Sequence, residues 1–221
     1  MLGTQDGLAY ALFRPAGPPR GRVVVLHGAG SAKESHYAWG RACRARGLSA
    51  VCFDMRGHGE SPGRLDGRAL EDVAAMAAVA GDDALGLVLR GSSMGGWVAL
   101  AAGARLGAAV VAICPAPGEG LVRALRAGTL PDFGADVEAI AGLVAVIDEE
   151  RAAARLGARL LLLHAVGDAT VPVAVSRALH AAAPGSRYVE VPGGDHRSVQ
   201  HDGELQAYAL RWIDRTLAAP G

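Results

Sequence analysis

The chain carries a serine between glycines where an apolar run gives way to a helical pattern. The segment Gly91-Ser92-Ser93-Met94-Gly95 follows LGLVLR and precedes WVALAAGARL. In G-x-S-x-G spacing, the central serine lies on a sharp strand-to-helix turn that exposes its hydroxyl, and the glycines allow the two elements to approach. The register selects Ser93 rather than Ser92 as the candidate nucleophile. A plain glycine turn is the alternative, because a chain with 31 glycines could produce the pattern by chance.

A serine hydroxyl needs a general base within hydrogen-bond reach. Of the seven histidines, His196 is best placed, because it follows the last predicted strand in VPGGDH. The base in turn needs an acid that fixes its tautomer. Asp168, in GDATVP after the preceding predicted strand, is predicted to be that acid, and its rival Asp195 is interpreted as a turn residue. Activity should fall in acid, because only a neutral imidazole accepts a proton.

The negative charge that develops on an attacked carbonyl oxygen needs two preorganised donors. The backbone N–H of Met94, directly after the candidate nucleophile, is predicted to be one of them. The second should come from HGAG after the first buried strand, where Ala29 is the first choice and Gly30 the alternative. HGAG could also be no more than a turn that ends the strand.

Short aliphatic runs alternate with longer, alanine-rich helical patterns along the chain. Most runs are continuously apolar, as expected for parallel strands that are covered on both faces. They predict strands at 22–27, 48–54, 85–90, 108–114, 159–164 and 187–191, with 10–13 as a candidate edge strand. Helices are predicted at 34–46, 70–79, 94–106, 173–182 and 199–217, the last including His201. This alternation predicts an α/β fold with a doubly wound, mostly parallel sheet flanked by helices.

One segment interrupts this alternation. The 44 residues between Cys114 and Arg159 exceed what a crossover requires, and they include an amphipathic stretch at 121–126 and a helical pattern at 135–154. The excess predicts a minimal helical cap at about 115–155 within a single domain, 1–221.

The cap should shape the pocket for the acyl or the alcohol group. Leu121, Leu125 and Phe133, together with Leu130, are predicted to line that pocket. Membership of the hydrophobic core is an equal alternative for all of them.

Bulk composition excludes several classes of protein. The chain has 22 basic and 22 acidic residues, whereas a nucleic-acid binder would show a basic excess. Three widely spaced cysteines without metal-type spacing favour neither a disulfide framework nor structural zinc. Neither a secretory signal pattern nor an apolar run of about 18 residues is visible. We therefore expect a soluble, cytoplasmic protein that binds neither nucleic acid nor membrane.

The chain resembles the α/β-hydrolase superfamily across nearly its whole length. Besides G-x-S-x-G, the motifs that carry the resemblance are RVVVLHGAG, FDMRGHGES at 53–61, GDATVP at 167–172 and GGDH before the last helix. The order Ser93, Asp168, His196 is the order of the superfamily's catalytic triad. The resemblance implies that Asp54, Arg56 and His58 organise the loop beside the site.

Within the superfamily, the chain is similar to small carboxylesterases and to the dienelactone-hydrolase-like or serine-peptidase-like branches. Dienelactone hydrolases use cysteine where this chain has Ser93, and an elaborate lipase lid is missing, which disfavours long-chain triglycerides. The resemblance implies a carboxylesterase-like serine hydrolase that cleaves a small carboxylic ester without cofactor or metal. Thioesterase, peptidase and acyltransferase activity on the same triad are alternatives, as is a non-catalytic ligand-binding protein. Nothing in the sequence predicts the oligomeric state.

Overall fold

A computed structural model describes residues 1–131 and 133–218. Within these residues the chain forms an eight-stranded sheet with helices on both faces. The strands are β1 (Leu2–Gln5), β2 (Leu8–Phe13), β3 (Arg22–Leu26), β4 (Ser49–Phe53), β5 (Leu87–Ser92), β6 (Ala109–Ile113), β7 (Leu160–Ala165) and β8 (Arg187–Val191). The predicted fold class is therefore confirmed.

The strand order brings the candidate site residues to one edge of the sheet. The order is β1-β2-β4-β3-β5-β6-β7-β8, with antiparallel pairing for β1–β2 and β2–β4 and parallel pairing elsewhere. β3 and β5 are neighbours, and Leu26 pairs with Gly91. Because the carboxyl ends of parallel strands share an edge, the loops after β3, β5, β7 and β8 begin close together.

Helices cover both faces of the sheet. They are α1 (Tyr37–Ala45), α2 (Ala69–Ala80), α3 (Met94–Leu106), α4 (Gly118–Arg126), α5 (Val137–Val146), α6 (Glu149–Leu156), α7 (Ala174–Ala182) and α8 (Gly203–Ala218). None of the described helices combines the length and the hydropathy that a membrane span requires.

The strands alternate their side chains between two hydrophobic layers. In β3, Val23 and Val25 pack with residues of α1 and α8, whereas Val24 and Leu26 pack with residues of α2 and α3. All four are fully buried. Burial on both faces explains why the sequence shows continuous apolar runs here rather than an alternating pattern.

Two strand predictions need correction. The segment 10–13, predicted as an edge strand, belongs to β2, which pairs with β4 on one side and with β1 on the other. The edge strand is β1, which carries no apolar signal because most of its four residues are exposed. The strand expected at 85–90 lies instead at Leu87–Ser92, so that β5 runs into the G-x-S-x-G segment. The nucleophile candidate thus follows the last residue of the strand directly.

The final helix starts later than predicted. α8 begins at Gly203, and His201, expected inside that helix, lies in the preceding turn. There the N–H groups of His201 and Asp202 both donate to the carbonyl of Ser198 at 3.0 Å. This turn interrupts the helical pattern that begins at Val199, whose side chain is buried.

The long segment between β6 and β7 contains three helices. The helical pattern expected at 135–154 is divided, because Ile147 is extended and Asp148 caps α6 by accepting the N–H of Arg151. α6 packs against α3 and α7, whereas α4 packs against α5. Asp132 in the expected cap and residues 219–221 of the expected domain lie outside the described residues.

Candidate active site

Ser93 lies between β5 and α3 in a backbone conformation that favours glycine. Its φ is 53° and its ψ is −122°. Its N–H donates to the carbonyl of Ile113 at 2.9 Å, and its carbonyl accepts the N–H groups of Trp97 at 3.2 Å and Ala116 at 3.1 Å. Hydrogen bonds from neighbouring segments therefore hold this strained residue at the carboxyl edge of the sheet.

The two glycines of G-x-S-x-G have no room for a side chain. A β-carbon on Gly91 would overlap the carbonyl oxygen of Gly95, and one on Gly95 would overlap the carbonyl oxygens of Leu26 and His27. The tight turn from β5 into α3 therefore requires glycine at position 91, and the close approach of α3 to β3 requires glycine at position 95. This steric requirement explains the spacing that the sequence shows.

The carboxylate of Asp168 orients the ring of His196. Asp168 Oδ2 lies 2.7 Å from His196 Nδ1, and Oδ1 accepts the N–H groups of Thr170 and Val171 at 2.8 Å each. Burial acts to raise the pKa of Asp168, but the hydrogen bonds from Val171, His196 and Thr170 outweigh burial and lower the pKa. Because an ionised carboxylate only accepts, Nδ1 must carry the ring proton. Nε2 is then the unprotonated nitrogen that can act as a base.

Asp195 forms a turn within the loop that carries His196. We call residues 192–202, between β8 and α8, the His196 loop. Asp195 Oδ1 accepts the N–H groups of Arg197 and Ser198 at 2.9 Å each, and the Ser198 hydroxyl oxygen accepts the N–H of Asp195 at 2.7 Å. The hydrogen bonds of Asp195 therefore remain local to the turn.

The loop after β3 has a fixed peptide orientation at Gly28. Its carbonyl accepts the Nδ1–H of His27 at 2.8 Å and the N–H of Ser31 at 3.1 Å. His27 Nε2 accepts the N–H of Met55 at 3.0 Å, which assigns the proton to Nδ1, and burial lowers the pKa of His27 to about 4. Since C=O and N–H point in opposite directions across a trans peptide, the N–H of Ala29 points away from these two donors.

The predicted oxyanion donors flank Ser93. A β-carbon on Gly28 would lie 3.4 Å from Ser93 Cβ, and Ala29 lines the same cavities as Ser93. Met94 is the first residue of α3, and first-turn N–H groups lack acceptors within their helix. Two amides with these positions could stabilise an oxyanion formed on a carbonyl bound to Ser93.

Ser93 faces two adjoining cavities. The first, which we call the apolar cavity, measures about 420 Å³; its lining includes Leu121, Ala124, Leu130, Val171 and Pro172. The second, the polar cavity, measures about 250 Å³; its lining includes Ser31, Thr170, His196, Arg197 and Gln200. Ser93, Ala29, Leu130 and Thr170 line both. Ser93 and His196 thus both line the polar cavity.

Of the three residues predicted to line the pocket, one lines a cavity beside Ser93 and two lie elsewhere. Leu121 is buried and lines the apolar cavity. The fourth candidate, Leu130, is half-buried and lines the same cavity. Leu125 packs against the hydrophobic core, and the ring of Phe133 stacks on His58 at 4.1 Å between centroids. Neither Leu125 nor Phe133 is among the described residues that line the two cavities.

Sequence reasoning missed the network around Lys33. This side chain is 2% exposed, and its Nζ donates to Asp54 Oδ2 at 2.8 Å and Glu60 Oε2 at 2.6 Å and lies 2.9 Å from Glu34 Oε1. Asp54 Oδ1 also accepts the backbone N–H of Lys33 at 2.7 Å. Burial acts to lower the pKa of Lys33, but these carboxylates outweigh it and raise the pKa. The network joins the loops after β3 and β4, and its one signal in the sequence is that no other lysine occurs.

Arg56 and His58 of FDMRGHGES contact neighbouring elements of the fold, and neither lines the two cavities beside Ser93. Arg56 donates to both carboxylate oxygens of Asp72 on α2, the shortest contact being 2.8 Å. His58 packs edge-on against His27 at 4.8 Å between ring centroids. His58 thereby supports the ring that orients the Gly28 carbonyl.

Cys114, His164 and Asp168 form a buried cluster of potential metal ligands whose atoms lie within 4.8 Å of one another. Both ring nitrogens of His164 already have protein partners, since Nδ1 lies 2.7 Å from the Ser176 hydroxyl and Nε2 lies 2.9 Å from the Val171 carbonyl. Asp168 is bound to His196 as described. The donor set therefore fits a structural hydrogen-bond network better than a metal centre.

Known proteins share the fold. A monoacylglycerol lipase from Paleococcus ferrophilus superposes with a TM-score of 0.73 at 21% identity, covering 95% of this chain and 98% of that one. Est1E from Butyrivibrio proteoclasticus, bound to ferulic acid, gives 0.73 at 20% identity over 97% and 99% of the two chains. At these identities, the similarity establishes the fold.

Comparison of the sequence with known proteins identifies the family of the chain. A monoacylglycerol lipase from Mycolicibacterium smegmatis is 34% identical over 105 residues, which span 44% of this chain and only 38% of that lipase. The family model described as serine aminopeptidase, S33, matches residues 17–130, from the turn before β3 to the loop after α4. The chain therefore belongs to the serine aminopeptidase, S33, family, and it has the α/β-hydrolase fold.

Proposed function

We propose that this chain hydrolyses a small carboxylic ester through an acyl-enzyme formed on Ser93. The observation that carries the proposal is that the strained Ser93 and His196 line the same polar cavity, with His196 Nδ1 2.7 Å from Asp168 Oδ2. Membership of a hydrolase family and the partial match to a monoacylglycerol lipase support ester chemistry.

In the first half-reaction, Ser93 Oγ attacks the ester carbonyl carbon while His196 Nε2 accepts the hydroxyl proton. The charge that develops on the carbonyl oxygen is stabilised by the N–H groups of Met94 and Ala29. Asp168 stays ionised and stabilises the imidazolium. The bond from the carbonyl carbon to the alcohol oxygen then breaks, and the imidazolium returns its proton to that oxygen.

In the second half-reaction, water replaces the alcohol. His196 Nε2 accepts a proton from water, and the resulting hydroxide adds to the acyl carbon at the same oxyanion site. The bond to Ser93 Oγ breaks, and the imidazolium protonates Oγ. The carboxylic acid leaves, and Ser93 and His196 regain their first protonation states.

The two cavities support an assignment of the two halves of the ester. His196 must reach the leaving oxygen, and it lines the polar cavity, so that the alcohol lies there beside Ser31 and Gln200. The acyl group then occupies the apolar cavity, where Leu121 contributes to the lining and α4 and α5 form the cap. This arrangement suits an apolar acyl group esterified to a small polar alcohol.

Charge favours an ester over an aminopeptidase substrate. Among the described residues, the charged side chains that line the two cavities, apart from His196, belong to Arg123 and Arg197. An aminopeptidase substrate carries a cationic α-amino group, and among the described residues that line the two cavities none offers a carboxylate to bind it. An uncharged ester needs no such partner.

The test compares Ser93→Ala with Ser92→Ala on a short p-nitrophenyl ester and with a fluorophosphonate probe. Ser93→Ala should lower kcat by about 10⁴-fold or more and abolish labelling. Ser92→Ala is the matched control, because the Ser92 hydroxyl is buried without a hydrogen-bond partner among the described residues. Substantial hydrolysis by Ser93→Ala would show that the proposed mechanism is wrong. Faster cleavage of aminoacyl p-nitroanilides than of esters by the wild type would favour the peptidase.

A further inference from the structure

We infer that Arg90 is a positioning residue that fixes the His196 loop relative to Ser93. Arg90 lies on β5, three residues before Ser93, and its side chain is 1% exposed. Its Nη2 donates to the carbonyl of Gln200 in the His196 loop at 2.9 Å. β5 therefore carries the nucleophile at its end and contacts the loop of the base through Arg90. The inference rests on the roles proposed above for Ser93 and His196.

The surroundings of Arg90 compensate its charge only in part. Its Nη1 lies 3.2 Å from His36 Nδ1, and the guanidinium carbon lies 4.5 Å from the centroid of the Trp39 ring. Nε has no hydrogen-bond partner among the described residues. Arg90 also enters none of the ion pairs that the described residues form.

A buried cation without a carboxylate is a poor source of stability. Moving a charge out of water carries a large desolvation penalty, and apolar replacements of buried ionic groups are often neutral or stabilising. The hydrogen bond to Gln200 therefore points to a contribution other than stability. The cation–π contact with Trp39 and the acceptor nitrogen of His36 reduce the desolvation penalty of the guanidinium. Neither contact replaces its hydrogen bond to Gln200.

The His196 loop needs such a contact because, apart from the hydrogen bond between His196 and Asp168, little ties residues 192–198 to the sheet. Most of residues 192–198 are exposed, and the hydrogen bonds of Asp195 stay within the loop. On its far side, the loop is anchored by the buried side chain of Val199 and by the carbonyl of Gln200. That carbonyl also accepts a hydrogen bond from Gln206 Nε2 on α8 at 3.0 Å. The contact with Arg90 is thus the link from this carbonyl to the strand that bears Ser93.

The test is Arg90→Met, measured by ester kinetics and urea unfolding. We expect kcat to fall by about 10- to 100-fold with KM nearly unchanged, since small misplacements of a catalytic group have effects of this size. The rate of fluorophosphonate labelling should fall in parallel, whereas the free energy of unfolding should stay the same or rise. Arg90→Lys, which keeps a cation and a donor, should recover part of kcat.

Arg22 provides the matched control. It is a buried arginine on the neighbouring strand β3, but at the opposite edge of the sheet, where it donates to the carbonyls of Leu85, Ala77 and Gly81. Arg22→Met should lower stability and leave kcat of the folded protein unchanged.

An unchanged kcat in Arg90→Met would overturn the inference, as would a loss of kcat that matches a loss of folded protein. If Arg90→Met does not fold, the Arg90→Lys variant decides. Wild-type kcat with reduced stability in Arg90→Lys would overturn the inference. Reduced kcat with wild-type stability in Arg90→Lys would support it. A different result, substantial hydrolysis by Ser93→Ala, would contradict the proposed function. Loss of activity in Ser93→Ala but not in the Arg90 variants would reject the positioning role alone.

Discussion

One oxygen of Asp168 lies 2.7 Å from His196 Nδ1, while its other oxygen accepts the N–H groups of Thr170 and Val171. The same carboxylate therefore shapes its own loop and selects the tautomer of the ring. Both effects favour the ionised form, which explains why the pKa of Asp168 is lowered despite burial.

Asp168→Asn is expected to lower kcat for a p-nitrophenyl ester by about 10³-fold or more, because an amide no longer selects the tautomer protonated on Nδ1. Asp195→Asn is the control beside His196. Its amide oxygen can still accept the N–H groups of Arg197 and Ser198, so kcat should stay near the wild-type value. Equal losses in the two variants would contradict the assignment of Asp168 as the acid.

Ser93→Gly should unfold at higher urea concentration than Ser93→Ala. Both variants lose the hydroxyl, but only glycine relieves a φ of 53°, and we expect a difference of about 1 kcal/mol in the free energy of unfolding. Ser49→Gly and Ser49→Ala provide the control pair within the buried strand β4, where alanine should be the more stable. If alanine were also the more stable at position 93, the strain assigned to Ser93 would be absent.

Gly95→Ala should destabilise the fold by about 3 kcal/mol or more, because the new methyl group would overlap two carbonyl oxygens of β3 and the loop after it. Gly142→Ala is the control, since Gly142 lies exposed in α5 with open space around it. That change should stabilise the protein by about 0.5–1 kcal/mol through helix propensity. Thermal unfolding of the two variants measures the contrast, and similar unfolding temperatures would argue against the tight approach of α3 to β3.

Buried histidines should make stability depend on pH in mild acid. Burial, aided by Arg90 and the nearby rings of His27 and His201, lowers the pKa of His36 to about 2. Below the ordinary histidine pKa of about 6.5, the unfolded chain binds a proton that folded His36 excludes, so stability falls with falling pH. His27 adds the same effect down to its folded pKa of about 4.

His36→Gln should reduce the slope of unfolding free energy against pH by about 1.4 kcal/mol per pH unit between pH 6 and pH 4. Urea denaturation across this range measures the slope. Above pH 8 both states hold His36 neutral, so the difference between variant and wild type should there become independent of pH. An identical slope in the two proteins would show that His36 protonates equally in the folded and unfolded states.

Much of the fold could be predicted from the sequence because it depends on local patterns. Strands buried on both faces appear as continuous apolar runs, and the residues after them define the active edge of the sheet. β1 was missed because an exposed edge strand has no such run. The start of α8 was misplaced because Val199 is buried in a turn and extends the helical pattern backwards.

Long-range contacts of the candidate site could not be predicted in this way. Lys33 and Arg90 look like ordinary cations in the sequence. Only the folded chain brings Lys33 Nζ to the Asp54 carboxylate and Arg90 Nη2 to the Gln200 carbonyl. For Phe133 the sequence leaves a pocket wall and the core as equal alternatives, because apolar character alone does not distinguish a cavity wall from a partner of His58. Such distinctions depend on which segments meet in space.

The burial of Lys33 and of all three cysteines has a practical consequence. No other lysine occurs in the chain, and Cys43, Cys52 and Cys114 are buried, so the exposed cationic side chains are arginines. Reagents that target amines or thiols should therefore leave the side chains of the native surface unmodified. A single cysteine introduced on an exposed helix position would be a unique attachment point for a fluorophore, a spin label or a solid support.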